Sequence, residues 1–385
     1  MRLRGRIAYK FFSCVLLVII VFIIFINFFT DKTVRDDFLT HLPELKSASD
    51  RQESVQTKDI NIEQLINLTN FRYTINNSLC ASYEKELLAI IIVTSYIGHD
   101  ELRAAHRLAI PQNKLSELGF QRIFLLAEVP AKERFINQQQ ILNEQQKFGD
   151  LLQGNFVESY RNLSYKHIMG LRWAALECPK AKFIVKIDDD VVYDVFQLKN
   201  YLEALEVKGY EHNFLAGFIL DNKLPIRITA NKWYVSEKEY AAEKYPDYLS
   251  GWLYITNPST ALRLVRESQQ SQFFWIDDTW VTGVLRAQIQ VPLVRLNSWF
   301  SANSEFLDCC VRDLKESNYE CEFYVGPNGG DSKLIVEFLH NVEKCYFDEC
   351  LKRTPEHALR KSCVGSVKNL LPDHGEPFIA AVNIR

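Results

Sequence analysis

Three mainly apolar runs, residues 87–95, 122–129 and 183–187, constrain the fold of this 385-residue chain more than any other feature. Such runs are typical of strands that are buried on both faces of a parallel sheet. Helical patterns stand between and after them, at residues 100–110, 131–148, 161–177 and 195–205. Strands that alternate with helices predict an α/β fold with a mostly parallel central sheet.

The third run ends in three consecutive aspartates, Asp188, Asp189 and Asp190. Parallel strands deliver their carboxyl ends to the sheet edge where α/β folds build ligand sites. Because side chains alternate along a strand, Asp188 and Asp190 point one way and Asp189 points the other. Neighbouring carboxylates repel one another unless a cation lies among them. Asp188 and Asp190 therefore predict a Mn²⁺ or Mg²⁺ site that bridges a nucleotide diphosphate. The alternative is a solvated acidic turn.

Charge and motifs exclude several classes of protein. A net charge of −3 and a pI near 6.3 provide no electrostatic footprint for nucleic acid. No predicted strand is followed by the glycine-rich loop of a dinucleotide site or a P-loop. A bound nucleotide would therefore be held through a metal ion.

The N-terminus has the pattern of a membrane anchor. Four basic residues within positions 1–10 precede residues 11–29, which carry no charge. A helix of that length is roughly 28 Å long, enough to cross a bilayer core of about 30 Å. The positive-inside rule keeps residues 1–10 in the cytoplasm, which predicts a type II signal anchor. The alternative is a cleaved signal peptide and a secreted product.

The remainder of the chain is then luminal. Residues 30–79 are polar and of mixed charge, which predicts a stem, and residues 80–385 are enough for a large globular domain. Eight cysteines outside the anchor, concentrated after residue 308, predict disulfides in a Cys-rich C-terminal part whose pairing the sequence does not reveal. Sequons at Asn67, Asn76 and Asn162 suit the same compartment.

From about Cys80 to His340 the chain resembles the β-1,3-galactosyltransferase-like family of Golgi glycosyltransferases (glycosyltransferase family 31), which includes β-1,3-N-acetylglucosaminyltransferases. The similar blocks follow the family's order. They are residues 103–107 (R-x-x-x-R), 149–173 (D-F-x-D-S-Y-x-N-L-T-x-K-T), 178–192 (C-x-x-x-x-F/Y-x-x-K-x-D-D-D-x-F), 225–235 (P-x-R … K-W-Y-V), 245–251 (Y-P-x-Y-C-S-G) and 275–283 (E-D-V-Y-x-G).

The resemblance implies a GT-A nucleotide-sugar transferase fold, a UDP-sugar donor, a manganese (or magnesium) ion and inversion to a β-1,3 linkage. It also implies a Golgi membrane location and a glycan acceptor on a glycoprotein or glycolipid, with a homo- or hetero-oligomer as an open possibility. The expected donor is UDP-galactose. Transfer of N-acetylglucosamine or N-acetylgalactosamine is the alternative.

The resemblance also assigns site residues. An inverting transfer needs a carboxylate base, for which Asp278 is preferred over Asp277; the alternative for Asp278 is an N-cap of a predicted helix at residues 279–285. His340 would be a third metal ligand beside Asp188 and Asp190, or else an ordinary core or surface histidine. The donor contacts implied are the following residues: Arg103, Arg107, Asp188, Asp189, Lys232, Trp233 and Gly251.

Each donor assignment has a structural alternative. Arg103 and Arg107 lie four residues apart on one helical face, where a surface ion pair would also suit them. The aromatic segments around Trp233 and at residues 245–251 are either pocket walls or core, and Gly251 would let a sugar approach the backbone.

Three positions depart from the family pattern. Ala109-Ile110 stands where the family has T-W, and Leu249 replaces a cysteine. In the last block Thr279 replaces a valine, and there is one extra residue before Gly283. The competing hypotheses are a catalytically silent luminal partner of an active transferase and a secreted carbohydrate-binding protein.

Overall fold

The computed structural model describes residues 60–81, 86–208, 213–348 and 350–364. The predicted cytoplasmic tail (1–10), signal anchor (11–29) and first part of the stem (30–59) lie outside these residues. No helix within the described ranges is long and apolar enough to span a membrane.

Ten strands and ten α-helices alternate through most of the described residues. The strands are β1 Tyr73–Ile75, β2 Leu87–Thr94, β3 Phe120–Glu128, β4 Leu151–Val157, β5 Ala181–Asp188, β6 Val191–Tyr193, β7 Leu215–Leu220, β8 Tyr248–Thr256, β9 Leu293–Arg295 and β10 Val325–Pro327. The α-helices are α1 Asp100–Ala109, α2 Gln112–Glu117, α3 Gln138–Phe148, α4 Leu163–Glu177, α5 Val195–Val207, α6 Pro258–Ser268, α7 Arg286–Gln288, α8 Ser304–Ser317, α9 Ser332–Phe347 and α10 Leu359–Ser362. A π-helix, Thr279–Leu285, precedes α7, and short 3₁₀ turns cover Tyr160–Asn162 and Asn297–Trp299.

Side-chain caps determine where several helices begin. The Asn137 side chain accepts from the backbone N–H of Gln140 and forms a capping box that starts α3, which ends at Gly149 with a φ of 67°. Asp194 accepts from the backbone N–H groups of Phe196 and Gln197 at the start of α5. The first α-helical turns therefore begin directly after polar residues that satisfy their free N–H groups.

One eight-stranded sheet has the order β1-β4-β3-β2-β5-β8-β7-β9, and β6 and β10 form a separate pair. Strands β4, β3, β2 and β5 are parallel, β8 is antiparallel to both β5 and β7, and β9 is parallel to β7. Strand β1 adds to β4 in the antiparallel sense. The predicted α/β class is confirmed, and four of these seven pairings are parallel.

Helices cover both faces of the sheet. Successive residues of β2 alternate between two cores: Ile91 and Val93 pack with residues of α5 and α9, and Ile90 and Ile92 pack with residues of α4, α6 and the π-helix. Residues 89–93 have no exposed surface. Because both faces are covered, these strands show no polar alternation in the sequence.

Residues 60–79 correct the predicted stem boundary. Ile60, Leu65, Ile66 and Phe71 are buried in the core, and β1 pairs with β4. Polar residues are interspersed among these apolar ones, so the segment has the composition of a stem although it packs on the sheet. The packed part of the chain therefore includes these residues and does not start at Cys80.

Four disulfides pair all eight cysteines that were expected in the lumen. They are Cys80–Cys178, Cys309–Cys363, Cys310–Cys321 and Cys345–Cys350. Three of the four lie after residue 308, which confirms the predicted Cys-rich C-terminal part. Leu249, at the position of the family's cysteine, is fully buried.

Candidate active site

Three acidic and basic side chains converge around Gly251, at the edge where β5 ends and β8 begins. The Lys186 Nζ donates to Asp188 Oδ1 and to the Gly251 carbonyl, both at 2.5 Å. A methyl group on Gly251 would lie 3.4 Å from both Asp188 Oδ2 and Lys186 Nζ, and 3.6 Å from Asp278 Cβ. Gly251 therefore lies within van der Waals range of all three side chains, and its contact with a donor stays a prediction.

The aspartate triplet divides as the strand geometry predicts. Asp189 is buried, and its Oδ2 lies 3.0 Å from His99 Nδ1. Its carbonyl oxygen lies 2.8 Å from His106 Nε2. Burial lowers the pKa of His106 to about 4, so this ring is neutral and Nε2 carries the donated proton. Asp189 therefore fixes the end of β5 to α1, and its donor contact stays a prediction.

Asp188 lies against Lys186, and Asp190 is close enough to affect its pKa. Burial raises the pKa of Asp188 to about 7, and the charge of Asp190 adds to this although Lys186 opposes it. Asp190 itself is exposed. The positive charge of Lys186 offsets only part of the effect of burial and of the second carboxylate on Asp188. Two hard oxygen donors in this arrangement fit Mn²⁺ or Mg²⁺.

His340 does not join this pair. It is exposed on α9, and within the described ranges no three His, Cys, Asp or Glu side chains converge as ligands of one ion. The interpretation of His340 as a third ligand is therefore unsupported. The resemblance gave no information about which way the residue points.

Asp278 is a helix cap and also a carboxylate of raised basicity. Its Oδ1 accepts from the Thr279 backbone N–H at 2.6 Å, which confirms the cap interpretation. Burial, with the nearby Asp277 charge, raises the pKa of Asp278 to about 6. Capping uses one oxygen and does not exclude a role as base.

Asp277 has the opposite electrostatics. Its Oδ2 lies 2.9 Å from His167 Nδ1 on α4. Burial would raise the pKa of Asp277, but the hydrogen bond from His167 and the positive charge of Lys186 outweigh it, and the pKa is lowered. Two adjacent carboxylates with pKa values moved apart are the pattern expected of an acid–base site.

The π-helix accounts for the extra residue that precedes Gly283. A π turn takes one more residue than an α turn, so the helix that Asp278 caps can hold an added residue without a break. The Thr282 hydroxyl donates to the Asp278 carbonyl at 2.6 Å and accepts from the Leu249 N–H at 2.8 Å. The cap is thereby joined to β8 beside Gly251.

The arginine pair is structural. Arg103 is fully buried, and its five N–H donors make five hydrogen bonds: two to Glu144, one to the Ser95 hydroxyl, and one each to the carbonyls of Tyr96 and Ile97. No donor remains for a ligand, so the predicted donor contact of Arg103 is wrong.

Arg107 has a similar environment. Its guanidinium pairs with both Asp150 oxygens at 2.8 and 2.7 Å and with Glu144 at 2.8 Å, and it stacks on the Phe148 ring at 4.0 Å. The predicted donor contact is therefore unsupported here as well. The two arginines instead hold the loop after β2 and the start of β4 against α3.

Lys232 and Trp233 form an exposed wall with Tyr160. The Trp233 Nε1 donates to the Tyr160 hydroxyl at 2.8 Å, and the Lys232 Nζ lies 4.5 Å from the Tyr160 ring centre. Burial raises the pKa of Tyr160 to about 12, and the charges of Asp277 and Asp278 add to it. The wall therefore stands beside the two carboxylates, as expected of a pocket lining.

Four site residues were missed by sequence reasoning: Lys186, His167, Tyr254 and Tyr160. Lys186 carried a usable signal, because a lysine two residues before Asp188 in an apolar strand lies on the same face. Tyr160 and His167 lie inside a block that resembled the family, but nothing in their spacing identified their partners.

Comparisons with known proteins identify similar sequences and structures. The family model described as galactosyltransferase matches residues 104–297. Human beta-1,3-galactosyltransferase 5 is 30% identical over 233 residues, which cover 58% of this chain and 72% of that protein. Human beta-1,3-galactosyltransferase 2 is 28% identical over 229 residues, which cover 59% of this chain and 53% of that protein.

A third relative carries a different name. Human lactosylceramide 1,3-N-acetyl-beta-D-glucosaminyltransferase is 30% identical over 215 residues, which cover 55% of this chain and 57% of that protein. Among solved structures, the bifunctional glycosyltransferase WbbM aligns with a TM-score of 0.35 and 11% identity, over 68% of this chain and 50% of that one. The galactosyltransferase LgtC aligns with a TM-score of 0.34 and 8% identity, over 65% of this chain and 95% of that one.

Proposed function

The chain belongs to the galactosyltransferase family, and from that premise we propose that it is a metal-dependent inverting β-1,3-galactosyltransferase of GT-A fold. It would transfer galactose from UDP-galactose to a hydroxyl of a glycan on a glycoprotein or glycolipid. The observation that carries the proposal is the convergence of Asp188 and Asp278 around Gly251, beside Lys186.

Asp188 and Asp190 are the residues that would hold the ion. When bound, Mn²⁺ or Mg²⁺ supplies positive charge that offsets the charge developing on the departing diphosphate. Lys186 keeps Asp188 in place, because its Nζ joins that carboxylate to the Gly251 carbonyl across β5 and β8. The same lysine supplies a fixed positive charge at the site, where its full burial limits screening.

Asp278 would act as the base. With a pKa raised by burial to about 6, it is ionised at neutral pH and is a better proton acceptor than an exposed carboxylate. It takes the proton of the acceptor hydroxyl while that oxygen forms a bond to the anomeric carbon. The bond from this carbon to the phosphate oxygen breaks on the opposite face, and UDP leaves with the electron pair, so the configuration inverts.

The aromatic wall would hold the acceptor. Sugar rings stack on exposed aromatic faces, which Trp233 provides beside Lys232.

Transfer of N-acetylglucosamine is the second candidate. The relative named as an N-acetylglucosaminyltransferase is as similar to this chain as the galactosyltransferases are. The choice depends on contacts to the substituents at C2 and C4 of the donor sugar.

The proposal includes a type II anchor at residues 11–29 in the Golgi membrane. The uncharged N-terminal run supports the anchor, and four disulfides support an oxidising lumen. In sealed microsomes, added protease should remove no more than residues 1–10. Digestion of the folded part would contradict this topology.

UDP release tests the enzyme. Because residues 60–79 pack on the domain, the luminal fragment should comprise residues 31–385. It is assayed with a panel of UDP-sugars and mixed glycan acceptors, with Mn²⁺ or with EDTA. We expect metal-dependent turnover of UDP-galactose. Turnover should be lost in Asp190→Ala and kept in Asp221→Ala, a change to an exposed acid in a surface ion pair.

The outcomes separate the hypotheses. Turnover confined to UDP-N-acetylglucosamine would select the second candidate. No donor binding and no turnover by well-folded protein would reject the enzyme and favour the silent luminal partner.

A further inference from the structure

His167 connects the carboxylate pair to the core through two hydrogen bonds. It is fully buried on α4. Its Nδ1 lies 2.9 Å from Asp277 Oδ2, and its Nε2 lies 2.6 Å from the hydroxyl of Tyr254, itself fully buried on β8. No step of the proposed transfer uses this line of three side chains.

The protonation of the three groups leaves one consistent arrangement. Burial lowers the pKa of His167, so the ring is neutral. Burial raises the pKa of Tyr254 well above its ordinary value, so its hydroxyl keeps its proton and donates to Nε2. The remaining ring proton is therefore on Nδ1, where it is donated to the Asp277 carboxylate.

We propose that His167 is a positioning residue for the transfer: its Nδ1–H holds Asp277 as a fixed, ionised partner and leaves Asp278 as the carboxylate that receives the acceptor proton. This inference rests on the proposed function. It assigns the base within the pair, which spacing alone leaves open.

Other charged and titratable groups also face the pair. They are Lys186 and Asp188 from β5, Tyr248 from β8, and Tyr160 before α4. Lys186 and the tyrosines keep one protonation state near neutral pH, and Asp277 is the carboxylate hydrogen-bonded to His167, so a change confined to His167 acts mainly through Asp277.

Two amide substitutions of His167 test the contacts of its two ring nitrogens one at a time. His167→Asn places an amide N–H near the position of Nδ1 and retains the donor to Asp277. His167→Gln places its amide near the position of Nε2 and retains the partner of Tyr254. Both fill part of the buried space, so each serves as the folding control for the other, and Tyr254→Phe removes only the tyrosine bond.

Loss of the Nδ1–H donor destabilises the state in which Asp277 and Asp278 are both ionised. One of these two carboxyl groups then keeps its proton to a higher pH. For His167→Gln we expect kcat to fall at least about tenfold and the acidic limb of its pH profile to move upward by about one pH unit. The KM for the donor should not change. His167→Asn and Tyr254→Phe should keep the wild-type limb. Equal effects of the Asn and Gln variants, or an unmoved limb in both, would overturn the proposal.

An NMR experiment separates this inference from the proposed function. In ¹⁵N-histidine-labelled protein at neutral pH, the signal lost in His167→Asn should be that of a neutral ring protonated at Nδ1. A ring that titrates near its ordinary pKa, or is protonated at Nε2, would overturn the proposal. Wild-type protein that shows this tautomer but no turnover would instead reject the proposed function.

Discussion

Asp278→Asn should make the protein inactive and, at neutral pH, more stable. Asparagine keeps a side-chain oxygen to cap the Thr279 N–H but carries no charge. In the wild type, burial and the Asp277 charge raise the pKa of Asp278 from 3.8 to about 6. A carboxyl whose pKa is higher in the folded state stabilises the fold while protonated, and this stabilisation is lost as pH rises through the folded value.

The magnitude follows from the shift. A pKa raised by about two units corresponds to about 3 kcal/mol, at roughly 1.4 kcal/mol per unit. The wild type loses this stability between about pH 4 and pH 7. The asparagine variant has no ionisable group at this position, so it shows no such loss. The free energy of unfolding of the variant minus that of the wild type should therefore rise by up to about 3 kcal/mol over this range. Loss of the base should lower kcat by about 10²–10⁴-fold.

Urea unfolding of both proteins at half-unit steps from pH 4 to 8 measures the difference directly. Asp277→Asn is the matched control. The pKa of Asp277 is lowered by the hydrogen bond from His167 and by Lys186, in opposition to burial, so its charge stabilises the fold at neutral pH. That variant should be less stable than the wild type at pH 7. A difference curve for Asp278→Asn that is flat with pH, or an active variant, would refute the reasoning.

Four further changes test the structural assignments. Arg103→Lys keeps the charge but offers three donors to five acceptors, so it should destabilise the protein by about 3–5 kcal/mol in chemical unfolding without changing the donor KM of the folded fraction. The exposed control Arg295→Lys should cost under about 1 kcal/mol. Trp233→Ala, at an exposed site, should leave the melting temperature unchanged and raise the acceptor KM about fivefold in steady-state kinetics. In a chain-entropy model, removal of the Cys80 disulfide, with a separation of 98 residues, should cost about 4.7 kcal/mol. Removal of the Cys345 disulfide, with a separation of 5, should cost about 2 kcal/mol, and equal losses in thermal melts would contradict that model.

The parallel half of the sheet could be predicted because burial on both faces leaves a direct mark in the sequence. Residues 87–95 and 183–187 show no polar alternation, since each side chain meets one of two cores. The antiparallel half leaves a weaker mark. Strand β8 begins with partly exposed residues around Gly251 and becomes buried only toward its end, so no single period describes it. The segment that contains β1 has a polar composition, so its packing on the sheet could not be predicted from the sequence.

The candidate site was predictable where local geometry decides it and not where partners decide it. Side chains alternate along β5 regardless of what packs around the strand, so Asp189 is predicted to point away from Asp188. That prediction is confirmed, since Asp189 contacts His99 and Asp188 contacts Lys186. The role of Arg103 depends instead on Glu144, 41 residues later, and that of His167 on Asp277, 110 residues later. A buried cation whose donors are all taken is structural, and a buried histidine joined to a carboxylate pair can tune its chemistry. Hydrogen-bond partners that are distant in the sequence decide which of these two roles a residue has. Spacing within a motif therefore cannot assign the role, and the fold must be known first.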